Sequence, residues 1–165
     1  MMATPSSARP KRPAESLTTM TQYVLPEETN ALGTVFGGQI LAWIDLAAAI
    51  AAERHSGSTA VTAGLDRVSF ERPVKVGQVV LLEARVTATF SSSLEVQVHV
   101  FGEDTRSGER WRTVEAFVTF VAVDEALAPR KVPPLVVETD EERALEAAAR
   151  ARREVRIAER AARAG

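Results

Sequence analysis

Apolar residues run nearly unbroken from Val35 to Ala52, and from Ala60 to Val123 they alternate with polar ones. The first pattern predicts a helix covered on most sides, the second a set of half-buried strands. The Gly37-Gly38 pair opens the helix, predicted from Gly38 to about Arg54, and the polar run Glu53–Thr59 closes it with Gly57 as the stop. Before it, MTQYVL (Met20–Leu25) is a short candidate strand ended by Pro26, and PEETNALG is a loop with Asn30 and Gly33 as turn formers. After it come AVTAGLDRVSF, VVLLEARVTATF (Val79–Phe90), LEVQVHVFGED and WRTVEAFVTFVAVD (Trp111–Asp124). The third of these puts Leu94, Val96, Val98 and Val100 on one face and Glu95, Gln97 and His99 on the other. Short turns (KVGQ, SSS, TRSGER) separate them, so the last three strands predict an antiparallel meander.

The order strand, apolar helix, antiparallel strands predicts an α+β domain in which a strongly curved sheet wraps one central helix. Its edge strands then need cover, which pairing two sheets in a dimer supplies. Beyond Asp124, a linker with three prolines (EALAPRKVPPLVVE) leads to TDEER, which has N-cap chemistry with acids in the first turn. ALEAAARARREVRIAERAARAG continues as an Ala/Arg helix of roughly 20 residues. The division expected is a disordered tail over 1–19, the folded domain over 20–125, and linker plus helix over 126–165.

Composition narrows the classes. A chain of 165 residues with 45% hydrophobic and 25% charged positions and a net charge of -2 fits one soluble domain, with no general affinity for nucleic acid or acidic membranes. Cysteine is absent, which removes disulfides, thiolate metal sites and a cysteine nucleophile. The Pro/Ser/Ala-rich start lacks a continuous apolar stretch, so a cytoplasmic location is expected rather than secretion. Val35–Ala52 falls short as a membrane span: it carries Gly37, Gly38, Gln39 and a central acid, which costs about 2.5–3.5 kcal/mol on insertion.

That acid is the chemical signal. Asp45 is the only charged residue between Gly33 and Ala52. A carboxylate inside so much apolar sequence is expected to be desolvated, and such residues are rarely kept for packing alone. With free backbone donors two turns earlier at Gly37-Gly38, the arrangement reads as an active-site helix. His55 and His99 stand isolated, so no metal cluster is expected; His55, beside Arg54, suits the helix C-terminus as a cation, and His99 sits on a solvated strand face.

NALGTVFGGQILAWID (Asn30–Asp45) resembles the active-site stretch of the hot-dog-fold acyl-CoA thioesterases, nearest the cytosolic acyl-CoA hydrolase branch. VTAGLD (Val61–Asp66), FERPV (Phe70–Val74), VGQ (Val76–Gln78), SSSLEV (Ser91–Val96), FVTFVAVD (Phe117–Asp124), PPL (Pro133–Leu135) and ETDEER (Glu138–Arg143) follow in register. The resemblance implies a hot-dog fold that hydrolyses acyl-CoA to a fatty acid and coenzyme A, with no cofactor or metal. It implies Asp45 as general base or nucleophile, Asn30 of the partner subunit positioning water or thioester, and a backbone N–H of Gly37 or Gly38 at the thioester oxygen. Homodimers with shared sites, assembled to a hexamer, are implied as well. Coenzyme A contacts would fall on Thr62, Arg72 and Ser91, Ser92 and Ser93, each of which also has an ordinary reading: sheet packing, surface base, turn serines. Trp43 and Phe70 are expected at the pocket floor. A non-catalytic acyl-CoA binding module on the same fold is the alternative; a dehydratase is disfavoured, because neither histidine lies in the helix-start motif.

Overall fold

A computed structural model describes residues 9–165. Strands β1 (Thr18–Tyr23), β2 (Thr59–Phe70), β3 (Val79–Thr89), β4 (Ser93–Glu103) and β5 (Arg110–Val123) form one antiparallel sheet in the order β1-β3-β4-β5-β2. Helix α1 (Gly37–Ser56) lies on one face of it, and α2 (Asp140–Ala164) follows the linker. This is the fold the periodicity predicted, with element ends shifted by one or two residues. Gly57, in the left-handed conformation (φ 67°), ends α1 by donating its N–H to Glu53 O. Thr139 and Glu142 cap α2 reciprocally.

The core lies between α1 and the sheet. Ile40, Trp43, Ile44, Ala47, Ala48, Ala51 and Ala52 recur at three- and four-residue steps and pack on Leu82, Ala84, Val86, Val96, Val98, Val100, Ala116, Val118 and Phe120. Four alanines let the helix approach the sheet closely. The helix is not covered on every side, however, because a single sheet reaches only one of its faces. Gly38, Ala42, Asp45 and Leu46 form an exposed stripe, Leu46 at 52%. Edge strand β2 continues that bare surface, with Val61, Leu65 and Phe70 all at least 40% exposed.

The other sheet face is polar, and α2 makes use of it. Arg152 forms a two-pronged pair with the fully buried Glu95 (2.9 and 2.8 Å) and stacks 3.7 Å over Phe117. Arg156 reaches Asp66 on β2 at 2.5 Å, and Arg85 reaches Glu141 at 2.6 Å. The Arg-rich helix is thus docked by its arginines. His99, also expected in solvent, is half-buried beside Glu115 at 3.1 Å. There burial pushes the Glu115 carboxyl up, but hydrogen bonds from His99 and Gln97 outweigh it and hold the group below its ordinary value.

Two further expectations change. From Arg9 onward the N-terminal segment is ordered, not a loose tail: Lys11 bridges to Leu135, Pro13 is buried, and Lys11 Nζ donates to Arg54 O at 2.8 Å. Residues 1–8 lie outside the described residues. His55 is a buried neutral imidazole rather than a helix-end cation: burial lowers its pKa, and Nε2–H donates to Pro133 O at 2.9 Å. Among the described residues, no helix is long and apolar enough to cross a membrane.

Candidate active site

Asp45 sits in the exposed stripe of α1, where β2 passes beside it. Thr62 Oγ1 donates to Asp45 Oδ1 at 2.6 Å, which orients the carboxylate and leaves Oδ2 without a partner among the described residues. The expectation that the chain itself buries Asp45 therefore fails: the residue is exposed in the single subunit. Thr62 is brought to Asp45 and is not simply a sheet-packing residue. It lies next to a bulge, where the β2–β5 register slips between Thr62 and Gly64.

The start of α1 offers unclaimed donors. Phe36, the N-cap residue, has extended backbone (φ -58°, ψ 135°) and no side-chain cap. Its carbonyl accepts from Gln39 N and Ile40 N. The N–H groups of Gly37 and Gly38 have no partner among the described residues, so they carry the partial positive charge of a helix N-terminus into open space. A methyl on Gly37 would sit 3.3 Å from the Phe70 ring, whereas one on Gly38 would meet nothing within 4 Å.

Asn30 stands in the turn just before this start. Its Oδ1 accepts from Leu32 N, Thr34 N and Thr34 Oγ1 at 2.9 to 3.2 Å, and the Thr29–Val35 bridge ties the turn to α1. The side-chain amide is left without a partner among the described residues. Asn30 and the glycines thus form one cluster, Asp45 and Thr62 another. Gly37 and Asp45 are eight residues apart on one helix, about 12 Å of axial rise. Helix N–H groups point off the N-terminal end, away from Asp45, so an oxygen they bind lies farther still. No single thioester can touch both clusters of one chain.

A cavity of about 260 Å³ opens at Gly37, lined by Val35, Ile40, Phe70, Pro73, Val74 and Thr113 among others. Phe70 lines it as expected; Trp43 is instead buried in the core. Arg72 is at the rim, paired with Glu109 at 2.8 Å and 4.2 Å over the Trp111 ring. Ser91, Ser92 and Ser93 form the β3–β4 turn; Ser91 and Ser92 accept backbone hydrogen bonds from Val132 and Ala122, and Arg153 lies 4.6 Å over the neighbouring Phe90 ring. The serines and Arg72 are not gathered with Asp45.

Residues 32–109 match the family described as the thioesterase superfamily. The chain is 41% identical over 138 residues to acyl-coenzyme A thioesterase 11 of Mus musculus, covering 84% of this chain and 23% of that one. It spans about a quarter of the length of that relative and of the mouse acetyl-coenzyme A thioesterase. To the uncharacterized acyl-CoA thioester hydrolase YkhA of Bacillus subtilis it is 42% identical over 128 residues, 78% of this chain and 74% of the other. Among solved structures, an apo-hexameric acyl-CoA thioesterase superposes with a TM-score of 0.88 at 43% identity, over 93% of this chain and 98% of that one. An acyl-CoA hydrolase from Staphylococcus aureus, in complex with butyryl coenzyme A, coenzyme A and coenzyme A disulfide, gives 0.84 at 36% identity, over 91% and 92%. Variants of that hydrolase solved separately carry alanine for one asparagine, one aspartate and one threonine, which stand fifteen and seventeen positions apart along its chain.

Proposed function

Since the chain belongs to the thioesterase superfamily, we propose that it hydrolyses acyl-CoA thioesters to a carboxylic acid and coenzyme A, at sites shared between two copies of the chain. Each site takes Asp45 and Thr62 from one subunit, and Asn30 with the helix-start N–H groups of Gly37 or Gly38 from the other. The observation that carries this reading is the separation on α1: carboxylate and oxyanion donors are too far apart in one chain and meet only across an interface. The bare stripe of α1 and the unpaired edge of β2 supply a self-complementary surface for it. The asparagine, aspartate and threonine replaced in the S. aureus hydrolase have the spacing of Asn30, Asp45 and Thr62, which supports the choice of residues. A hexamer of three such dimers is part of the proposal, supported by the hexameric relative.

In this site the thioester carbonyl oxygen accepts from the helix-start N–H, which stabilises the charge that develops as the carbonyl is attacked. Asp45 Oδ2, free because Thr62 occupies Oδ1, is the reacting oxygen. It removes a proton from the water that attacks the carbonyl carbon, or attacks that carbon itself to form a mixed anhydride that water then hydrolyses; in either route the thiolate of coenzyme A leaves. Thioesters are electrophilic and thiolates leave readily, so a carboxylate and a donor pair suffice. Asn30's unclaimed amide is placed to hold the water or the thioester. Pairing also excludes water from the carboxylate, which strengthens each of these interactions.

The test is thiol release from short-, medium- and long-chain acyl-CoA by the wild type and Asp45→Asn. The chain has no cysteine, so a thiol reagent sees only coenzyme A. Wild-type turnover should fall by about 10²–10⁴-fold in the variant, with the fold retained. Equal rates in the two would remove Asp45 from the mechanism. Tight acyl-CoA binding without turnover would make the protein a binding module.

A further inference from the structure

Helix α2 outruns the sheet that holds it. Its polar contacts pass from strand to strand along its length: Glu141 to Arg85 on β3, Arg152 to Glu95 on β4, and Arg156 to Asp66 on β2. Since β2 is the last strand of the sheet, α2 reaches the sheet's edge at Arg156. Eight helical residues, 157–164, remain beyond that point, and every one of them is exposed. At 1.5 Å per residue they carry the helix about 12 Å past the edge, the width of about two more strands. Among the described residues, no strand continues the sheet beneath that overhang.

A groove runs along the flank of α2 at the same edge. Its volume is about 450 Å³, with Ala148, Ala151, Val155 and Glu159 on the helix side and Asp66 and Arg67 of β2 on the other. Val155 is 57% exposed. Valine is a poorer helix former than the alanines and arginines around it, so local helix stability does not account for its place there, whereas an apolar contact does. Arg67 and Glu159 form no ion pair among the described residues. Each copy of the chain thus brings to this groove one unpaired cation and one unpaired acid, a set that a second copy complements.

In the dimer proposed above, the edge of β2 meets the same edge of a second copy about a twofold axis that stands on the sheet and reverses every direction lying in it. The sheet then continues under each overhang, and the two α2 helices run antiparallel, side by side. We propose that the overhanging turns of α2 from each copy dock in the groove of the other, with Glu159 of one copy facing Arg67 of its partner. This rests on the shared-site reading and adds a second contact between the same two copies, on the sheet face opposite Asp45. The pair of subunits is then held on both faces, by α1 on one and α2 on the other.

The test is crosslinking in the full-length protein, which has no cysteine of its own. Ala151→Cys lies in the groove and Ala162→Cys on the overhang, both at exposed positions. Within one chain they stand eleven residues apart, about 16 Å along the helix, beyond the span of a short bismaleimide. Across the edge they meet, because they lie at nearly equal distances on either side of Arg156. The double variant should therefore give a covalent dimer on a denaturing gel, several-fold more than either single variant and at a yield that dilution leaves unchanged. Intact dimers by native mass spectrometry, with both thiols labelled by a monofunctional maleimide yet no covalent dimer, overturn the proposal and leave the shared site standing. Equal crosslinking by a single variant overturns the antiparallel register and the docking with it. Chains that are monomeric by native mass spectrometry overturn the shared-site reading itself, a result distinct from the other two.

Discussion

If Asp45 acts in one subunit and Asn30 in the other, two dead variants should revive each other. Asp45→Asn removes the reacting carboxylate. Asn30→Asp keeps the Oδ oxygen that holds the Leu32–Thr34 turn but removes the unclaimed amide, so it is the gentler choice than alanine. In a twofold dimer of the two variants, one site receives both lesions and the other receives neither. Random exchange makes half of the dimers mixed, and each mixed dimer has one intact site of two. Recovered activity should therefore be about a quarter of wild type per chain, from parents that are each nearly silent. The assay is thiol release after joint unfolding and refolding of the two variants, with chain mixing counted by native mass spectrometry on size-tagged chains. The reasoning depends on the roughly 12 Å of helix between Gly37 and Asp45 and on the outward direction of the N–H groups. Verified mixing with activity still at parental level would place both groups in one chain and refute the shared site.

Three further outcomes follow from other parts of the molecule. Gly37→Pro deletes one helix-start donor but suits the first helical position, and Phe36 already has the extended backbone that precedes proline; if Gly37 is the oxyanion donor, kcat should fall on the order of 10²–10³-fold with little change in melting temperature, while Gly37→Ala keeps its N–H and most of its rate. Arg152→Ala strands the fully buried Glu95 with Thr87 as its near partner and Arg156 at 3.9 Å, so urea unfolding should show a loss of about 3–5 kcal/mol, whereas Arg152→Met paired with Glu95→Gln should recover much of it. His55 is held neutral by burial, its folded pKa below the ordinary 6.5: the unfolded chain binds the proton more readily, so stability is full above pH ~6.5 and declines as pH falls from there toward the lowered value. His55→Gln should flatten that segment of a urea-midpoint profile against pH.

Much of the framework was legible because it rests on local chemistry. Alternation at Leu94–Val100 and the turn serines gave β4 its faces and its start, Gly57 ended α1, and Thr139 with Glu142 began α2. Contacts between distant segments were not legible. The arginines of α2 look like a solvated stripe until β2 and β4 bring Asp66 and Glu95 beneath them. The segment from Arg9 reads as a loose tail because composition does not reveal that Leu135 will offer it a bridge and Arg54 a carbonyl.

Asp45 shows what a sequence pattern can and cannot report. The inference from its apolar surroundings was desolvation, and in the single chain it is exposed. The apolar run is real, but it carries two surfaces: Ile44, Ala47, Ala48 and Ala51 meet the sheet, while Ala42 and Leu46 are left exposed beside Val61 of β2. A central helix face and an edge strand left bare together make a surface that a second copy, as proposed, would cover. In that state the carboxylate would be as desolvated as its neighbours suggest, with Thr62 already holding one oxygen. Helix hydropathy would then record burial in the proposed assembly rather than in the subunit. The same pairing would complete the proposed site. The carboxylate sits midway along α1 and the donors sit at its start, so in the proposed dimer an antiparallel pairing of two such helices would bring one chain's Asp45 to the other's Gly37.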